Sequence, residues 1–361
     1  PPREWFPIPR VPTAHDLPGP ELSLAPAPGW PKARESGGLI MSHLSSHSTG
    51  IRSCVASTDR AGRSATSTSA RLCFIVEDRY QNDTMPGTVI DALRGRGHEV
   101  DVLHPHAMLA SLSRLDPIDG DGYDGYVLKT VSSGPGLSIL EAAGAAGGVT
   151  VNDYRSIRLA RDKAVAASLA RAAGLPFPKT YFAARSALLA QLPSDKYPLV
   201  VKPNNGSSCE QIFRIENAAQ LEDLDVDDDR FLLVQPYLPN PGYDIKLYSI
   251  GDDVFAAVRR SPLHPGASVV EQLIPVSAEW RALAMRIGRV FGLDLFGLDI
   301  IDTPQGWMIL DVNDFPSFGQ VPHAAERIAD TILRVTRRNT QTAPKRVSTA
   351  LHRKVILDVS A

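Results

Sequence analysis

The segment Ile309-Leu310-Asp311-Val312-Asn313-Asp314-Phe315-Pro316 decides the fold of this chain. Its aliphatic residues predict a buried β-strand that ends at Phe315-Pro316. Side chains alternate between the two faces of a strand, so Asp311 and Asn313 are expected on the same face. The strand therefore offers two oxygen-bearing side chains to one site.

A second apolar strand, at residues 296–301, precedes this segment and carries a single carboxylate, Asp299. The turn at residues 302–306 would join the two strands as a hairpin. Asp299, Asp311 and Asn313 would then converge, and such an oxygen-only cluster suits Mg²⁺. The alternative is that the two carboxylates are ordinary strand-end groups that accept hydrogen bonds from the backbone.

Composition narrows the class of protein. A chain of 361 residues with 43% hydrophobic and 22% charged residues is typical of a globular protein with two or three domains. The formal net charge of −2 gives no basic field for nucleic acid, and no apolar run reaches the roughly 18 residues of a membrane span. The chain has three scattered cysteines, Cys54, Cys73 and Cys209, and no C-x-x-C pair. This pattern predicts neither a zinc site nor a disulfide framework, and it favours a reducing compartment such as the cytoplasm.

The two ends of the chain do not have the composition of a packed domain. Residues 1–70 are rich in Pro and Ser and predict a disordered tail, because they cannot bury enough apolar area to offset the entropy of ordering. Met41 lies inside this stretch and is a candidate natural start, which would make residues 1–40 upstream sequence. Residues 339–361 predict a loose basic tail.

Residues 71–153 predict a small parallel α/β domain, because short apolar strands alternate with helices. The strands are expected at 72–76, 99–103, 125–129 and 148–152, and the helices at 86–96 and 137–146. No G-x-G-x-x-G pattern follows the first strand, so a dinucleotide site is not indicated.

The next region predicts one long helix and a hairpin. The helix is expected over residues 156–174, with Ser156 as its N-cap, Gly174 as its end and Lys163 inside. The strand at 197–203 ends near Lys202 and leads through a Gly/Ser segment, residues 204–209, to a strand at 211–215. The free N–H groups at such a tip can bind phosphate, although an ordinary turn remains the alternative.

The last third of the folded region predicts strands and helices that carry further cations. A strand is expected at 231–238, a hairpin at 244–250 and 254–260, and helices at 278–291 and 323–338. The hairpin would place Lys246 and Arg259 beside the Gly/Ser segment.

The order of these features along residues 71–338 resembles that of the ATP-grasp superfamily. The features that carry the resemblance are Lys163, Lys202, the Gly/Ser hairpin, Gln235-Pro236-Tyr237-Leu238, Lys246, Arg259, Asp299 and Asp311-x-Asn313. The resemblance implies an α/β and α+β fold in which an N-terminal domain, residues 71–153, precedes two subdomains. Residues 154–240 and 241–338 would clamp ATP between them.

The resemblance also implies roles for single residues. Lys163 and Lys202 would contact the α- and β-phosphates, and Gly206, Ser207 and Ser208 would belong to a mobile loop over the triphosphate. Gln235, Tyr237 and Leu238 would contact adenine. Asp244 would lie near the ribose or the phosphates. The cofactors would be ATP and two Mg²⁺ ions, which Mn²⁺ could replace, bound by Asp299, Asp311 and Asn313. Lys246 and Arg259 would be catalytic.

Two branches of the superfamily give different activities. Residues 151–163 and 174–180 look like the glutamate-adding ligases of the ribosomal-protein S6 modification type and like glutathione synthetase, which predicts ATP-dependent joining of a carboxylate to a small-molecule or peptide amine, with release of ADP and phosphate. Residues 296–301 and 310–316 are similar to the inositol trisphosphate 5/6-kinases, and Asp311 favours that branch. A third class is a catalytically silent nucleotide-binding module.

Overall fold

The computed structural model describes residues 69–115, 122–130, 134–205, 211–221, 224, 231–264 and 271–342. Almost all of the two predicted tails, residues 1–68 and 343–361, lies outside this range. The described residues form three β-sheets of four, four and five strands, with α-helices packed against the first and the last. The ATP-grasp expectation of an α/β part followed by α+β parts is thus confirmed by the architecture.

The first sheet is parallel, as the sequence predicts. Its strands are β1 (Arg71–Val76), β2 (Glu99–Leu103), β3 (Gly125–Lys129) and β4 (Thr150–Val151), in the order β2-β1-β3-β4. The helices α1 (Thr84–Gly95) and α2 (Gly136–Ala145) lie between them in sequence. Parallel sheets need cover on both faces, and strand β1 shows this: Leu72 and Phe74 pack with the α1 side, whereas Cys73 and Ile75 pack with the α2 side.

The predicted helix over 156–174 is wrong in one respect, because it is two helices. They are α3 (Tyr154–Arg161) and α4 (Lys163–Ala172). Asp162 is extended between them, and its carboxylate accepts hydrogen bonds from the N–H groups of Ala164 and Val165. An aspartate that caps a new helix competes with continuation of the old one.

The predicted cap Ser156 is also wrong, since Ser156 lies inside helix α3 and the carboxylate of Asp153 caps that helix instead. Gly174 follows helix α4 with a φ of 66°, as expected of a residue that ends a helix.

The second sheet is antiparallel and has the order β5-β8-β6-β7. Its strands are β5 (Tyr181–Ala183), β6 (Leu199–Pro203), β7 (Phe213–Ile215) and β8 (Leu232–Pro236). The pairing of β6 with β7 confirms the predicted hairpin. Residues 206–210 at its tip lie outside the described residues.

The third sheet is antiparallel and has the order β11-β10-β9-β12-β13. Its strands are β9 (Tyr243–Ile250), β10 (Asp253–Arg260), β11 (Gln272–Ile274), β12 (Leu295–Thr303) and β13 (Gly306–Asn313). Both hairpins expected from the sequence, β9–β10 and β12–β13, are present. Strand β11 was not expected.

Helices cover the third sheet and leave its polar face for the site. Helix α5 (Ala278–Phe291) packs Ala284, Ile287 and Phe291 against the apolar face of the sheet. Helix α6 (Ala324–Thr342) joins the core that it shares with α1 and β1. Among the residues that the structure describes, no helix combines the length and the hydropathy that crossing a bilayer requires.

Lys129, at the end of strand β3, is a buried cation that joins the first sheet to the end of β13. Its Nζ donates a hydrogen bond of 2.6 Å to the carbonyl of Phe315 and lies 4.8 Å from the centre of the Tyr80 ring. Burial lowers the pKa of Lys129 to about 8, against the ordinary 10.5. The folded state therefore binds the proton of this amine less tightly than the unfolded chain does.

The Lys129→Met variant tests this burial. The lowered pKa means that the folded protein bears a cost for the charged amine below pH 8, and the cost disappears as the pH rises towards 10.5. The stability of the variant relative to the parent should thus fall between pH 7.5 and 10, by on the order of 3 kcal/mol. Denaturant unfolding at both pH values measures this. Lys196→Met, at a partly exposed lysine, is the control, and an equal pH response of both variants would contradict the assignment.

Candidate functional site

The register of the third sheet gathers charged side chains on one face. Asp299 on β12 lies directly opposite Asp311 on β13 and opposite Lys246 on β9. On the neighbouring strand β10, Arg259 lies opposite Asp244. Directly opposite residues share a face, and so do residues two apart on one strand. This face therefore carries two cations and three carboxylates from four strands.

A β-bulge in strand β13 adds one more residue to this face. Asp299 pairs with Asp311 but Ile300 pairs with Ile309, so Leu310 is an extra residue without a counterpart on β12. Leu310 and Asp311 both line the cleft that lies over the face. The carbonyl of Leu310 accepts a hydrogen bond of 3.0 Å from Nζ of Lys202, which comes from strand β6 of the second sheet.

Asp299 is the centre of the charged face. Its carboxylate lies 2.8 Å from Nζ of Lys246 and 3.1 Å from Nη2 of Arg259. Burial by itself would raise the pKa of Asp299, but these two cations more than offset it and hold the pKa at about 2. Asp299 is therefore ionised although it is only 7% exposed.

Asn313 completes the group of oxygen-bearing side chains. Its Nδ2 donates a hydrogen bond of 3.3 Å to Oδ2 of Asp299, which leaves the amide oxygen of Asn313 for another partner. Asp299, Asp311 and Asn313 thus meet on one face, as expected from the alternation of the strands. Their hard oxygen atoms fit Mg²⁺, whose remaining ligands are usually water and phosphate. Within the described ranges, no three His, Cys, Asp or Glu side chains converge to form a self-sufficient metal site.

Asp244 has a higher pKa than Asp299. Burial raises the pKa of Asp244 to about 6, and the charge of Asp299 adds to this effect, while Arg259 at 3.5 Å opposes it. Two neighbouring carboxylates therefore have pKa values about four units apart (about 2 against about 6). One guanidinium, that of Arg259, is shared by both.

Lys163 reaches the charged face from the first residue of helix α4. Its Nζ lies 2.7 and 2.6 Å from the two carboxylate oxygens of Asp311. The break at Asp162 places Lys163 at this helix start, and Asn204 holds the start through hydrogen bonds to Ala164 and Asp162. The two predicted nucleotide lysines, Lys163 and Lys202, thus lie at the same cleft as Asp299 and Asp311.

The cleft between the second and third sheets encloses about 890 Å³ of empty space, part of it open to solvent. One end carries the charged groups, and the other has apolar walls. Gln235, Tyr237 and Leu238 line it as predicted by the resemblance. Five apolar wall residues were not singled out from the sequence: Val200, Ile212, Leu263, Ile301 and Leu310. The period of two could have identified Val200, two residues before Lys202, and Ile301, two residues after Asp299.

Three polar contacts fix the apolar end of the cleft. The amide of Gln235 donates to the hydroxyl of Thr180 at 3.0 Å, and Gln235 is buried. The hydroxyl of Tyr237 hydrogen-bonds Nε2 of His264 at 3.0 Å, and the guanidinium of Arg214 stacks 3.9 Å from the centre of the Tyr237 ring. The hydrogen bond between Tyr237 and His264 ties the segment after β8 to the segment after β10.

All sequence-predicted site residues that the structure describes meet at this cleft or at its charged face. Nine line the cleft itself: Lys163, Lys202, Gln235, Tyr237, Leu238, Asp244, Arg259, Asp299 and Asp311. Lys246 and Asn313 contact Asp299 behind them. Gly206, Ser207 and Ser208 lie outside the described residues.

Comparison with known proteins finds a family model that matches part of this chain. Residues 160–334 match the model of the RimK-like ATP-grasp domain. A probable alpha-L-glutamate ligase of Haemophilus influenzae (strain PittEE) is 26% identical over 260 residues, which cover 64% of this chain and 87% of that protein.

Two solved structures share the fold. The ATP-grasp ligase PsnB, complexed with a phosphomimetic variant of its minimal precursor, Mg and ADP, has a TM-score of 0.58 at 19% identity and covers 74% of this chain and 99% of its own. The D-cycloserine synthetase DcsG has a TM-score of 0.57 at 18% identity, over 74% of this chain and all of its own. These likenesses establish the ATP-grasp fold.

Removal of the Asp299 charge should destabilise the protein. Asp299→Asn removes the carboxylate that pairs with the buried amine of Lys246 and with the guanidinium of Arg259, and breaking a buried ion pair in this way costs about 3–5 kcal/mol. Denaturant unfolding at pH 7 measures the change. Asp302→Asn, at a half-buried aspartate on the same strand, is the matched control and should cost little. Equal stabilities of the two variants would show that Asp299 does not balance these cations.

Proposed function

Because residues 160–334 form a RimK-like ATP-grasp domain, we propose that this protein is an ATP-dependent, ADP-forming ligase that joins a carboxylate to an amine through an acyl phosphate. One observation carries the proposal: two lysines from one side of a cleft and three oxygen-bearing side chains from the other side meet at a single charged face. The apolar end of the same cleft has the size and the walls for a nucleobase.

The chain's own residues bind the nucleotide in this proposal. Adenine occupies the apolar end beside Gln235, Tyr237 and Leu238, between the subdomains at residues 154–240 and 241–338. Lys163 and Lys202 bind the phosphates, because each ammonium lies at the cleft within reach of the charged face. Gly206, Ser207 and Ser208 are proposed to close over the triphosphate. Asp244 lies on the ribose or phosphate side.

Asp299, Asp311 and Asn313 would hold the divalent cations. Bound Mg²⁺ neutralises charge on the phosphoryl group that is transferred. Lys163 forms an ion pair with Asp311, and Lys246 forms one with Asp299. The cations of the protein thus balance the charge of these carboxylates.

Lys246 and Arg259 are proposed as the catalytic cations. When the substrate carboxylate attacks the γ-phosphorus, ADP leaves and an acyl phosphate forms; the amine then attacks the acyl carbon, and phosphate leaves. Negative charge develops on oxygen in both steps. A guanidinium already fixed by Asp244 and Asp299 can stabilise this charge without reorganising.

The comparisons favour the ligase over the inositol phosphate kinase. The relatives named above are ligases or synthetases, and the support extends to carboxylate–amine ligation in general. By analogy with them, the acceptor is an amino acid or a peptide. The set of cations and metal ligands at the cleft argues against a silent nucleotide-binding module.

Trapping of the acyl phosphate tests the proposed reaction. The protein is incubated with ATP, Mg²⁺, hydroxylamine and a panel of amino acids and peptides that carry free carboxylates. A hydroxamate should form together with ADP, because hydroxylamine replaces the natural amine. If phosphate is instead retained on the polyol in a parallel incubation with an inositol phosphate, the kinase is the correct assignment. Absence of ADP release with every acceptor tested would favour the silent module.

Lys202→Ala tests the assignment of the phosphate lysines. Loss of a charged hydrogen-bond donor to phosphate should weaken nucleotide binding about 10- to 100-fold, which corresponds to about 1.5–3 kcal/mol. Titration with a non-hydrolysable ATP analogue measures this affinity. Lys196→Ala, at a partly exposed lysine that pairs with Asp195 and does not line the cleft, is the control and should leave the affinity unchanged. Equal affinities of both variants would refute the role of Lys202.

A further inference from the structure

The two residues after Asn313 are held from outside the cleft. Asp314 and Phe315 directly follow strand β13. Three polar side chains from the region of residues 129–161 bind these two residues. These side chains are Lys129, Asn152 and Arg161, and none of them lines the nucleotide cleft.

Arg161, the last residue of helix α3, makes the strongest of these contacts. Its Nε and Nη2 donate to the two carboxylate oxygens of Asp314 at 2.9 and 3.1 Å. The same guanidinium donates to the hydroxyl and to the carbonyl of Thr130, each at 3.1 Å. The two paired side chains are 9% and 10% exposed. A buried bidentate pair fixes both the distance and the orientation of its partners, which a lysine cannot reproduce.

Asn152 closes the open end of the β12–β13 hairpin. Its Nδ2 donates to the carbonyls of Leu295 and Asp314, both at 2.7 Å, and its Oδ1 accepts from the N–H groups of Asp294 and Leu295, both at 2.9 Å. Only one orientation of the amide matches two carbonyls on one side and two N–H groups on the other. Asn152 thereby joins the start of β12 to the end of β13.

Lys129 and the aromatic rings fix the next residue. Lys129 donates to the carbonyl of Phe315 at 2.6 Å. The ring of Phe315 packs edge-on against Phe318, at 5.8 Å between ring centres, and Phe318 is fully buried. The carbonyls of Asp314 and Phe315 and the carboxylate of Asp314 are thus held by groups from strand β3, from Asn152 directly after strand β4, and from helix α3.

We propose that Arg161, Asn152 and Lys129 are positioning residues for the divalent cation. They hold residues 314 and 315, so that the end of β13 presents the oxygens of Asn313 and Asp311 in a fixed place beside Asp299. The inference rests on the proposed function, because the cation is the one that accompanies ATP. Contacts of this kind, one step removed from the ligands, change metal affinity about 10- to 100-fold.

The test separates binding of the cation from binding of the nucleotide. Calorimetric titration gives the affinity for ADP in EDTA and across a series of Mg²⁺ concentrations. In the unaltered protein, ADP should bind more tightly as Mg²⁺ is added. In Arg161→Lys, the Mg²⁺ concentration that gives half of this effect should rise about 10- to 100-fold, whereas the affinity in EDTA stays within about twofold of the parent, since Arg161 lies outside the cleft.

Arg158→Lys is the matched control. Arg158 is in the same helix and also makes a bidentate pair, but it is exposed and its partner is Glu141 rather than Asp314. It should keep the Mg²⁺ response of the parent. Lys129→Met is the second test variant, because it removes the contact to Phe315 and replaces a buried amine with an apolar chain that suits its aromatic surroundings. It should also need more Mg²⁺, and it decides the question if Arg161→Lys does not fold.

Three outcomes would overturn the inference. In the first, Arg161→Lys and Lys129→Met respond to Mg²⁺ as the parent does. In the second, the variants lose ADP affinity equally with and without Mg²⁺, which marks a general structural role. In the third, Arg158→Lys shows the same loss as Arg161→Lys. Failure of the proposed function looks different, because ADP binding by the unaltered protein would then not respond to Mg²⁺.

Discussion

Asp299 lies in the interior of the protein, where an unpaired carboxylate would take up a proton rather than remain charged. It stays ionised because Lys246 and Arg259 lie 2.8 and 3.1 Å away. Each of these three side chains comes from a different strand, so the charge balance exists only when β9, β10 and β12 are paired in the observed register. The sheet thereby assembles the site, and the site in turn stabilises the sheet.

The rest of the cleft follows from this charged face. The opposite face of the same sheet is apolar and packs on helix α5, which fixes the sheet and leaves the charges on the side of the cleft. The bulge at Leu310 turns an apolar residue towards the cleft next to Asp311, so apolar and charged surface adjoin. A nucleotide has the same division between a flat apolar base and a charged phosphate chain, which is why the cleft suits one molecule of this kind.

The sequence predicts much of this arrangement and misses the parts that depend on distant residues. Alternation along residues 309–316 places Asp311 and Asn313 on one face, and the turn between two apolar runs predicts the β12–β13 hairpin, since both signals are local. The break at Asp162 was missed because an aspartate within a helical pattern carries no sign of whether it continues the helix or caps a new one. The bulge at Leu310 depends on the partner strand. The pair of Arg161 and Asp314 joins residues 153 positions apart, and no periodicity connects them.

The central claim is that the two lysines and the three oxygen-bearing side chains bind the same nucleotide. Diffraction from crystals grown with Mn²⁺ and a non-hydrolysable ATP analogue tests it most directly, because the anomalous signal of Mn²⁺ locates the cation independently of the protein. The account predicts Mn²⁺ bound by Asp299, Asp311 and Asn313, with the phosphates in contact with Lys163 and Lys202. A nucleotide bound elsewhere, or Mn²⁺ absent from these three side chains while the nucleotide is present, would contradict it.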